Sequence, residues 1–264
     1  MTSASMTDVS ITMPVLFVGH GSPMNAIEDN AYTRGWEKIV REIPKPEAIL
    51  SISAHWFTSG TRITDAARPK MIYDMYGFPD ALYRTAYPAK GSPELAGLAV
   101  GLVSRKVTVD NSWGFDHGTW SVLCKMYPEA DIPVVQLSVD RNADAKTHFQ
   151  IGQEIRALRE KRVLILGSGN VVHNLADIGW GMDGGYPWAM DFDSYIKEKI
   201  DKRQFQDVIG YHAAGASSTR AFTSPDHFYP LLCILGAAGR EDRLSIFNNS
   251  CTMGSLSMTS YLFG

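Results

Sequence analysis

Short apolar runs recur along the chain, and turns that carry glycine or polar residues separate them. The runs have the length and composition of strands that are buried on both faces of a sheet. A sheet of this kind needs helices to cover it on both sides. We predict five such strands, at residues 14–18, 48–53, 133–139, 163–166 and 244–247.

Helical patterns lie between these apolar runs. Apolar residues recur at helical spacing from Trp36 to Ile43, and Pro44 ends that helix. A second helix is predicted to begin at Ser92, a capping serine followed by proline at the first helical position. A third pattern runs from about residue 143 to residue 161. Strands that alternate with helices predict an α/β layered domain, with a central mixed, largely parallel sheet flanked by helices.

Composition excludes several classes of protein. The 25 basic and 28 acidic side chains give a net charge of −3, so the chain lacks the clustered positive charge that nucleic-acid binding needs. Its three cysteines form no CxxC pair, which argues against a disulfide framework or a zinc knuckle. The sequence shows no secretory signal and no apolar stretch of membrane-spanning length, so we expect a cytoplasmic protein. We predict a flexible N-terminus over residues 1–12 and a single domain over residues 13–264.

Histidines stand at the ends of the predicted strands. His20 directly follows the first strand, and His55 ends the second. His173 lies three residues into a predicted helix after the 163–166 strand, and His227 stands at a helix start. Ligands of open α/β sheets bind beyond the carboxyl ends of the strands, so parallel strands would bring His20, His55 and His173 together.

Neutral imidazole is the commonest metal ligand in proteins, and several converging imidazoles would suit zinc or ferrous iron. The alternative is that each histidine is a hydrogen-bonded turn residue, and for His20 and His55 both interpretations stay open. For His148, inside an amphipathic helix, and His212, in a polar stretch, we expect a structural role.

Other catalytic motifs are weak or absent in the sequence. It contains no GxSxG elbow, no HExxH zinc helix and no GxxxxGK[ST] phosphate loop. Gly167 and Gly169 resemble the start of a GxGxxG fingerprint, but Val172 stands where the third glycine belongs. Cys124 and Cys233 lie in apolar helical patterns and are expected in the core.

Six motifs, in order along the chain from about residue 14 to its end, resemble the 4,5-DOPA extradiol dioxygenase family. This family belongs to the class III ring-cleaving dioxygenases, which include the catalytic subunit of protocatechuate 4,5-dioxygenase. The motifs are GHGSPM at residues 19–24, SAHW at 53–56, DHGTW at 116–120, MYPEADIPVVQLS at 126–138, GSGNVVHNL at 167–175 and DHFYPL at 226–231.

The resemblance implies a small-molecule catechol that is opened next to its two hydroxyls by O2 at one divalent non-haem metal ion. By the same resemblance, His20, His55 and His227 occupy ligand positions. His173 matches the acid/base histidine and is also counted with the ligands. His117 matches a position that contacts the substrate hydroxyl or the oxygen. The 13–264 domain would then be an extradiol dioxygenase-like catalytic domain.

The ligand set leaves three hypotheses open. Many extradiol enzymes use two histidines and a carboxylate, whereas His227 stands here at the third position, beside Asp226. Three imidazoles also suit zinc, which has no redox chemistry. We expect Fe(II) for ring cleavage, with zinc-dependent hydrolysis or non-catalytic binding of a small molecule as the alternatives.

Aromatic side chains provide candidates for stacking on a substrate ring. Trp56, Tyr229 and the tyrosines of residues 71–88 could line a cleft, or could pack in the core. The sequence assigns no membrane or nucleic-acid partner and leaves the oligomeric state open.

Overall fold

The fold is that of a computed structural model, which describes residues 12–264. The predicted flexible N-terminus, apart from Thr12, lies outside the described residues. The strands are β1 (Val15–Gly19), β2 (Ala48–Thr58), β3 (Thr61–Ile63), β4 (Val107–Val109), β5 (Val134–Asp140), β6 (Val163–Gly169), β7 (Leu244–Phe247), β8 (Cys251–Thr252), β9 (Leu256–Ser257) and β10 (Ser260–Phe263).

The main sheet of the described residues has eight strands in the order β4-β3-β5-β2-β6-β1-β10-β7. Its centre, β5-β2-β6-β1, is parallel throughout. Antiparallel pairs join β10 to β1 and to β7, and β3 to β5. The prediction of a mixed, largely parallel sheet in a single α/β domain is therefore confirmed.

Helices cover both faces of this sheet. They are α1 (Ala31–Arg41), α2 (Asp80–Tyr83), α3 (Pro93–Leu102), α4 (His117–Met126), α5 (Ala145–Ile155), α6 (Pro187–Asp201), α7 (Phe205–Ile209), α8 (Ala216–Arg220) and α9 (Tyr229–Ala237). The predicted cap of α3 is present, because Ser92 Oγ accepts a hydrogen bond from the backbone N–H of Leu95 at 3.1 Å. The third predicted helix is α5, which continues as a 3-10 segment over Arg156–Lys161.

The alternation of side chains along β1 explains the two layers of helices. Val15 and Phe17 belong to a core formed with α3, α5, α6 and α9. Leu16 and Val18 point to the opposite face, into a core formed with α1 and α4. Because successive residues of a strand face opposite sides, an unbroken apolar strand requires apolar cover on both.

Two local predictions are wrong. Strand β2 does not end at His55 but continues to Thr58, past a register irregularity between Ile52 and Phe57. His173 is not in a helix. Its backbone is extended and forms bridges with Phe222 and Leu256, and its N–H donates to the carbonyl of Ala221 at 2.8 Å.

The carboxyl end of β6 connects the segments that carry two of the histidines. The backbone N–H of His20 donates to the carbonyl of Gly169 at 3.0 Å, and that of Asn170 donates to the carbonyl of His227 at 2.9 Å. The chain before α9 and the chain after β1 are thus both fixed to the same strand end. Among residues 12–264, no helix is both long and apolar enough to cross a membrane.

Replacing Gly169 with alanine is expected to displace the His227 segment. A Cβ at this position would lie 2.1 Å from the carbonyl oxygen of His227, and a backbone atom yields only if the segment moves. We expect Gly169→Ala to lower the free energy of unfolding by about 1–3 kcal/mol in urea titrations.

Gly97→Ala is the matched control, because a Cβ on this glycine of α3 meets open space. It should be neutral or stabilising by up to about 1 kcal/mol. Equal unfolding midpoints for the two variants would show that Gly169 is not required for close packing.

Candidate metal centre

Three imidazoles form a nearly equilateral triangle beyond the carboxyl ends of the central strands. The ring centroids of His20 and His55 are 5.0 Å apart, those of His20 and His227 are 5.1 Å apart, and those of His55 and His227 are 4.9 Å apart. The three residues come from β1, β2 and the turn before α9. The parallel register brings His20 and His55 together, as the strand-end argument predicts, whereas that argument grouped them with His173 and not with His227.

Two further imidazoles flank the triangle. The ring of His117, the first residue of α4, lies 3.7 Å from the ring of His55. The ring of His173 stacks on His227 with centroids 3.4 Å apart and planes only 4° from parallel. All five histidines that the sequence marked therefore meet in one place.

The hydrogen bonds of Ser168 determine the tautomer of His20. Ser168 Oγ donates its only proton to the carbonyl of Gly118 at 2.5 Å, because a carbonyl can only accept. The same oxygen lies 3.0 Å from Nδ1 of His20, so it must accept from an Nδ1–H. The lone pair of His20 is therefore on Nε2.

Asp226 has the same effect on His227. Its Oδ2 lies 3.1 Å from Nδ1 of His227, and an ionised carboxylate can only accept. The Nε2 atom of His227 is buried and has no hydrogen-bond partner among residues 12–264. A buried nitrogen with a free lone pair indicates a ligand at this position.

A second carboxylate, Asp74, contacts two rings at once. Its Oδ2 lies 3.1 Å from Nδ1 of His55, and its Oδ1 lies 3.1 Å from Nδ1 of His117. Oδ1 also accepts the backbone N–H of His117 at 2.9 Å. Burial by itself would raise the pKa of Asp74, but the contacts with His117 and His55 outweigh burial and hold this pKa far below its usual range.

The spacing of the imidazole nitrogens fits a metal ion. The Nε2 atoms of His20 and His55 are 3.1 Å apart. Two nitrogens that each lie about 2.1 Å from one ion, at angles of roughly 90–110°, are themselves about 3.0–3.4 Å apart. The ligand atoms of His20, His55 and His117 also lie within 4.8 Å of one another.

Burial keeps most of these rings neutral, as a metal ligand must be. Burial, followed by the proximity of the other imidazoles, lowers the pKa of both His20 and His227 well below the ordinary value of 6.5. The same causes lower the pKa of His173 to about 4. His55 is the exception. Burial lowers its pKa, but Asp74 and Asp116 outweigh burial and raise it.

Asp116, the residue before His117, fixes the position of the His117 backbone. It caps α4 and receives hydrogen bonds from Ser53 Oγ at 2.6 Å, from Trp113 Nε1 at 3.0 Å and from the side-chain amide of Gln136. Burial, and the charge of Asp74, raise the pKa of this carboxyl. A fully hydrogen-bonded buried network of this kind fixes the start of α4 and thus the His117 backbone.

Trp56 and Tyr229, which the sequence predicts as substrate contacts, each pack against another side chain. Trp56 is buried and stacks on Trp113, with ring centroids 6.4 Å apart. Tyr229 is buried against His148 at 4.3 Å, which agrees with the structural role expected for that histidine. A contact of Trp56 or Tyr229 with substrate stays a prediction.

Sequence reasoning missed the residues that orient the imidazoles. Asp226 adjoins His227 in the sequence, so a carboxylate beside a candidate ligand was an available signal. Ser168 stands between the two glycines of the possible nucleotide fingerprint and in the family motif of residues 167–175, and neither pattern marked it as a contact of His20. Asp74 lies in the aromatic segment of residues 71–88, and nothing in its local sequence connects it with His55 or His117.

Together the parallel sheet and its imidazole centre define a non-haem metalloenzyme. Over residues 13–264 the chain matches the family described as the catalytic LigB subunit of aromatic ring-opening dioxygenase, and it belongs to that family. The protein is therefore an aromatic ring-opening dioxygenase of the extradiol, non-haem metal type, which acts on a small molecule and O2.

Known proteins resemble the chain over nearly its whole length. It is 47% identical over 263 residues to "4,5-DOPA dioxygenase extradiol" of Escherichia coli (strain K12), covering 97% of this chain and 96% of that protein. A Beta vulgaris protein of the same name is 40% identical over 256 residues, covering 94% and 95%. The crystal structure of an uncharacterized Escherichia coli K12 protein has a TM-score of 0.83 and 43% identity, covering 96% of this chain and all of that one.

The buried imidazoles should make the metal-free protein less stable in acid. The folded-state pKa of His227 is lowered, so on acidification below about pH 6.5 the unfolded chain binds a proton there before the folded protein does. Stability that is fully present above pH 6.5 is then lost as the pH falls. Each such group contributes up to about 1.4 kcal/mol per pH unit.

The measurement is urea unfolding of EDTA-treated protein at pH 7.5, 6.5 and 5.5, for the parent and for His227→Gln. The variant lacks one buried group that protonates on unfolding, so its stability should fall less steeply between pH 6.5 and 5.5. Parallel curves would contradict a neutral, buried His227.

Proposed function

We propose that this enzyme opens a catechol that carries an amino-acid side chain, as in DOPA, with Fe(II) as the catalytic metal. One observation carries the proposal most of the way, namely the triangle of the His20, His55 and His227 rings, in which the Nε2 atoms of His20 and His55 are 3.1 Å apart. The relatives named 4,5-DOPA dioxygenase extradiol support the choice of substrate. A ferrous ion with three protein ligands on one side supplies open positions where catecholate and O2 meet and exchange electron density.

His20, His55 and His227 are the proposed ligands, each through Nε2. In each ring Nδ1 faces an acceptor, Ser168, Asp74 or Asp226, so Nε2 is free. Neutral ligands leave the full divalent charge of the ion on the site, which favours a catecholate dianion.

His173 is proposed as the acid/base residue. Lone pairs lie in the plane of an imidazole ring, and the rings of His173 and His227 are parallel at 3.4 Å. The nitrogens of two stacked rings point in parallel directions and not at a common point, so His227 would hold the ion while His173 would stay free to act on protons. His173 would join the ligands only if one ring turned.

The pKa of His173, lowered to about 4 by burial and by the neighbouring imidazoles, makes this ring neutral at neutral pH. It can therefore accept the proton of a catechol hydroxyl and return it later in the reaction. His117 presents Nε2 on the opposite side of the triangle, because its Nδ1 faces Asp74. It is proposed to accept a hydrogen bond from the second hydroxyl or to contact the oxygen.

Anaerobic loading with Fe(II), followed by O2 and a panel of catechols with and without an amino-acid side chain, tests the proposal. We expect a yellow ring-opened semialdehyde, one O2 consumed per catechol, and both atoms of ¹⁸O2 in the product. No product from any catechol would contradict the proposal. Turnover of simple catechols with no preference for DOPA would contradict only the substrate assignment.

Two controls separate the metal and the base from simple binding. The zinc-loaded protein should bind catechols without consuming O2, because zinc has no redox chemistry. Hydrolytic activity with zinc and no oxygenation with iron would favour the hydrolase alternative.

His173→Ala should lose at least about 100-fold in kcat while largely keeping catechol affinity, since general acid–base catalysis contributes about 10²–10⁴-fold. Equal turnover in the variant and the parent would remove His173 from the mechanism.

A further inference from the structure

Asp74 is the carboxylate that contacts two imidazoles of the site at once. It lies in the loop before α2, and its side chain is only 14% exposed. Each carboxylate oxygen lies 3.1 Å from Nδ1 of a different imidazole, Oδ2 from His55 and Oδ1 from His117. We propose that Asp74 is a positioning residue that holds His55 and His117 in the same tautomer, with both Nε2 atoms turned toward the metal and substrate. The proposal rests on the function proposed above.

The tautomers follow from the chemistry of the carboxylate. An ionised carboxylate has only acceptor sites, so a neutral ring that faces it carries its proton on the facing nitrogen. Both Nδ1 atoms are therefore protonated, and both Nε2 atoms carry the lone pair. Imidazole ligands in metal sites are commonly oriented in this way by a carboxylate, and the loss of such a partner typically costs 10–100-fold in metal affinity or activity.

No second acceptor replaces Asp74 at His117. Nδ1 of His117 is buried and forms no hydrogen bond among residues 12–264. The contact with Oδ1 of Asp74, at 3.1 Å, is therefore what stabilises a proton on this nitrogen. Without Asp74, nothing would favour Nδ1–H over Nε2–H in this ring. His117 could then present a donor to the substrate in place of an acceptor.

The loop backbone does not depend on the Asp74 side chain. The N–H of Ile72 donates to the carbonyl of Phe115 at 2.7 Å, and Trp120 Nε1 donates to the carbonyl of Ile72 at 3.0 Å. Tyr73 donates its hydroxyl proton to the carbonyl of Thr85 at 2.7 Å. A substitution at Asp74 should therefore change the imidazoles while the loop stays in place.

Asparagine at this position tests whether the side chain must accept hydrogen bonds from both rings. The amide has one acceptor oxygen and one NH2 donor, so it can satisfy only one Nδ1–H. The backbone N–H of His117 also donates to Oδ1, so the oxygen of the amide should stay on the His117 side. The NH2 group then faces Nδ1 of His55, where it can only donate, and it favours Nε2–H on that ring in place of the lone pair that binds metal.

The experiment compares the parent with Asp74→Asn, Asp74→Ala and the control Asp80→Asn, whose carboxylate is 90% exposed in α2. Long-range ¹H–¹⁵N spectra of the imidazoles report each tautomer, with signals assigned from His55→Gln and His117→Gln variants. Competition with a chelator gives the zinc affinity. We expect Nδ1–H on both rings in the zinc-loaded parent, and a His55 ring without Nδ1–H in metal-free Asp74→Asn.

Zinc affinity should fall about 10–100-fold in Asp74→Ala and in Asp74→Asn, and not at all in Asp80→Asn. The proposal is overturned if His55 keeps Nδ1–H in metal-free Asp74→Asn, or if Asp74→Ala binds zinc as tightly as the parent. Failure of the proposed function gives a different result, because the parent itself would then bind no metal. The tautomers of the metal-free parent and Asp74→Ala would still test Asp74, since only the parent should hold both rings as Nδ1–H.

Discussion

Five imidazoles, three of them buried and two partly buried, meet at the carboxyl end of the central strands, and the cost of burying charge governs how the surrounding residues are used. A protonated ring among four others would be costly, so most of these rings stay neutral, and a neutral ring needs an acceptor for its one N–H. Ser168, Asp74 and Asp226 provide those acceptors from three separate segments. The neutral state that burial imposes is also the state in which imidazole binds metal. The same constraint therefore determines both the packing of the site and its chemistry.

The parallel centre of the sheet makes this cluster possible. β6 lies between β1 and β2, so its carboxyl end stands between His20 and His55 and provides Ser168 as well as the backbone contacts of His20 and the His227 segment. Gly169 permits that approach, since a side chain there would collide with the carbonyl of His227. The glycine motif thus serves close packing around imidazoles, and its resemblance to a nucleotide fingerprint has no functional counterpart.

Much of the fold could be predicted from sequence because buried strands are continuous apolar runs, and all five predicted strands coincide with β1, β2, β5, β6 and β7 to within a few residues. Short strands such as β3 and β4 were missed, since a strand of three residues carries no recognisable pattern. His20 and His55 could be paired from strand register alone. Asp74 could not, because its contacts depend on how a loop crosses α4. The error at His173 has a similar origin, since its partner Ala221 is distant in sequence.

His20 and His227 stand near opposite ends of the chain, yet their rings are 5.1 Å apart. Closing a loop of this size is slow, and contacts between distant residues form late in folding. During synthesis the first two imidazoles emerge long before the third, so the triangle can form only after the chain has reached the turn before α9. The long separation in sequence thus makes the site a late product of folding, and any change that loosens the sheet between these residues loosens the site as well.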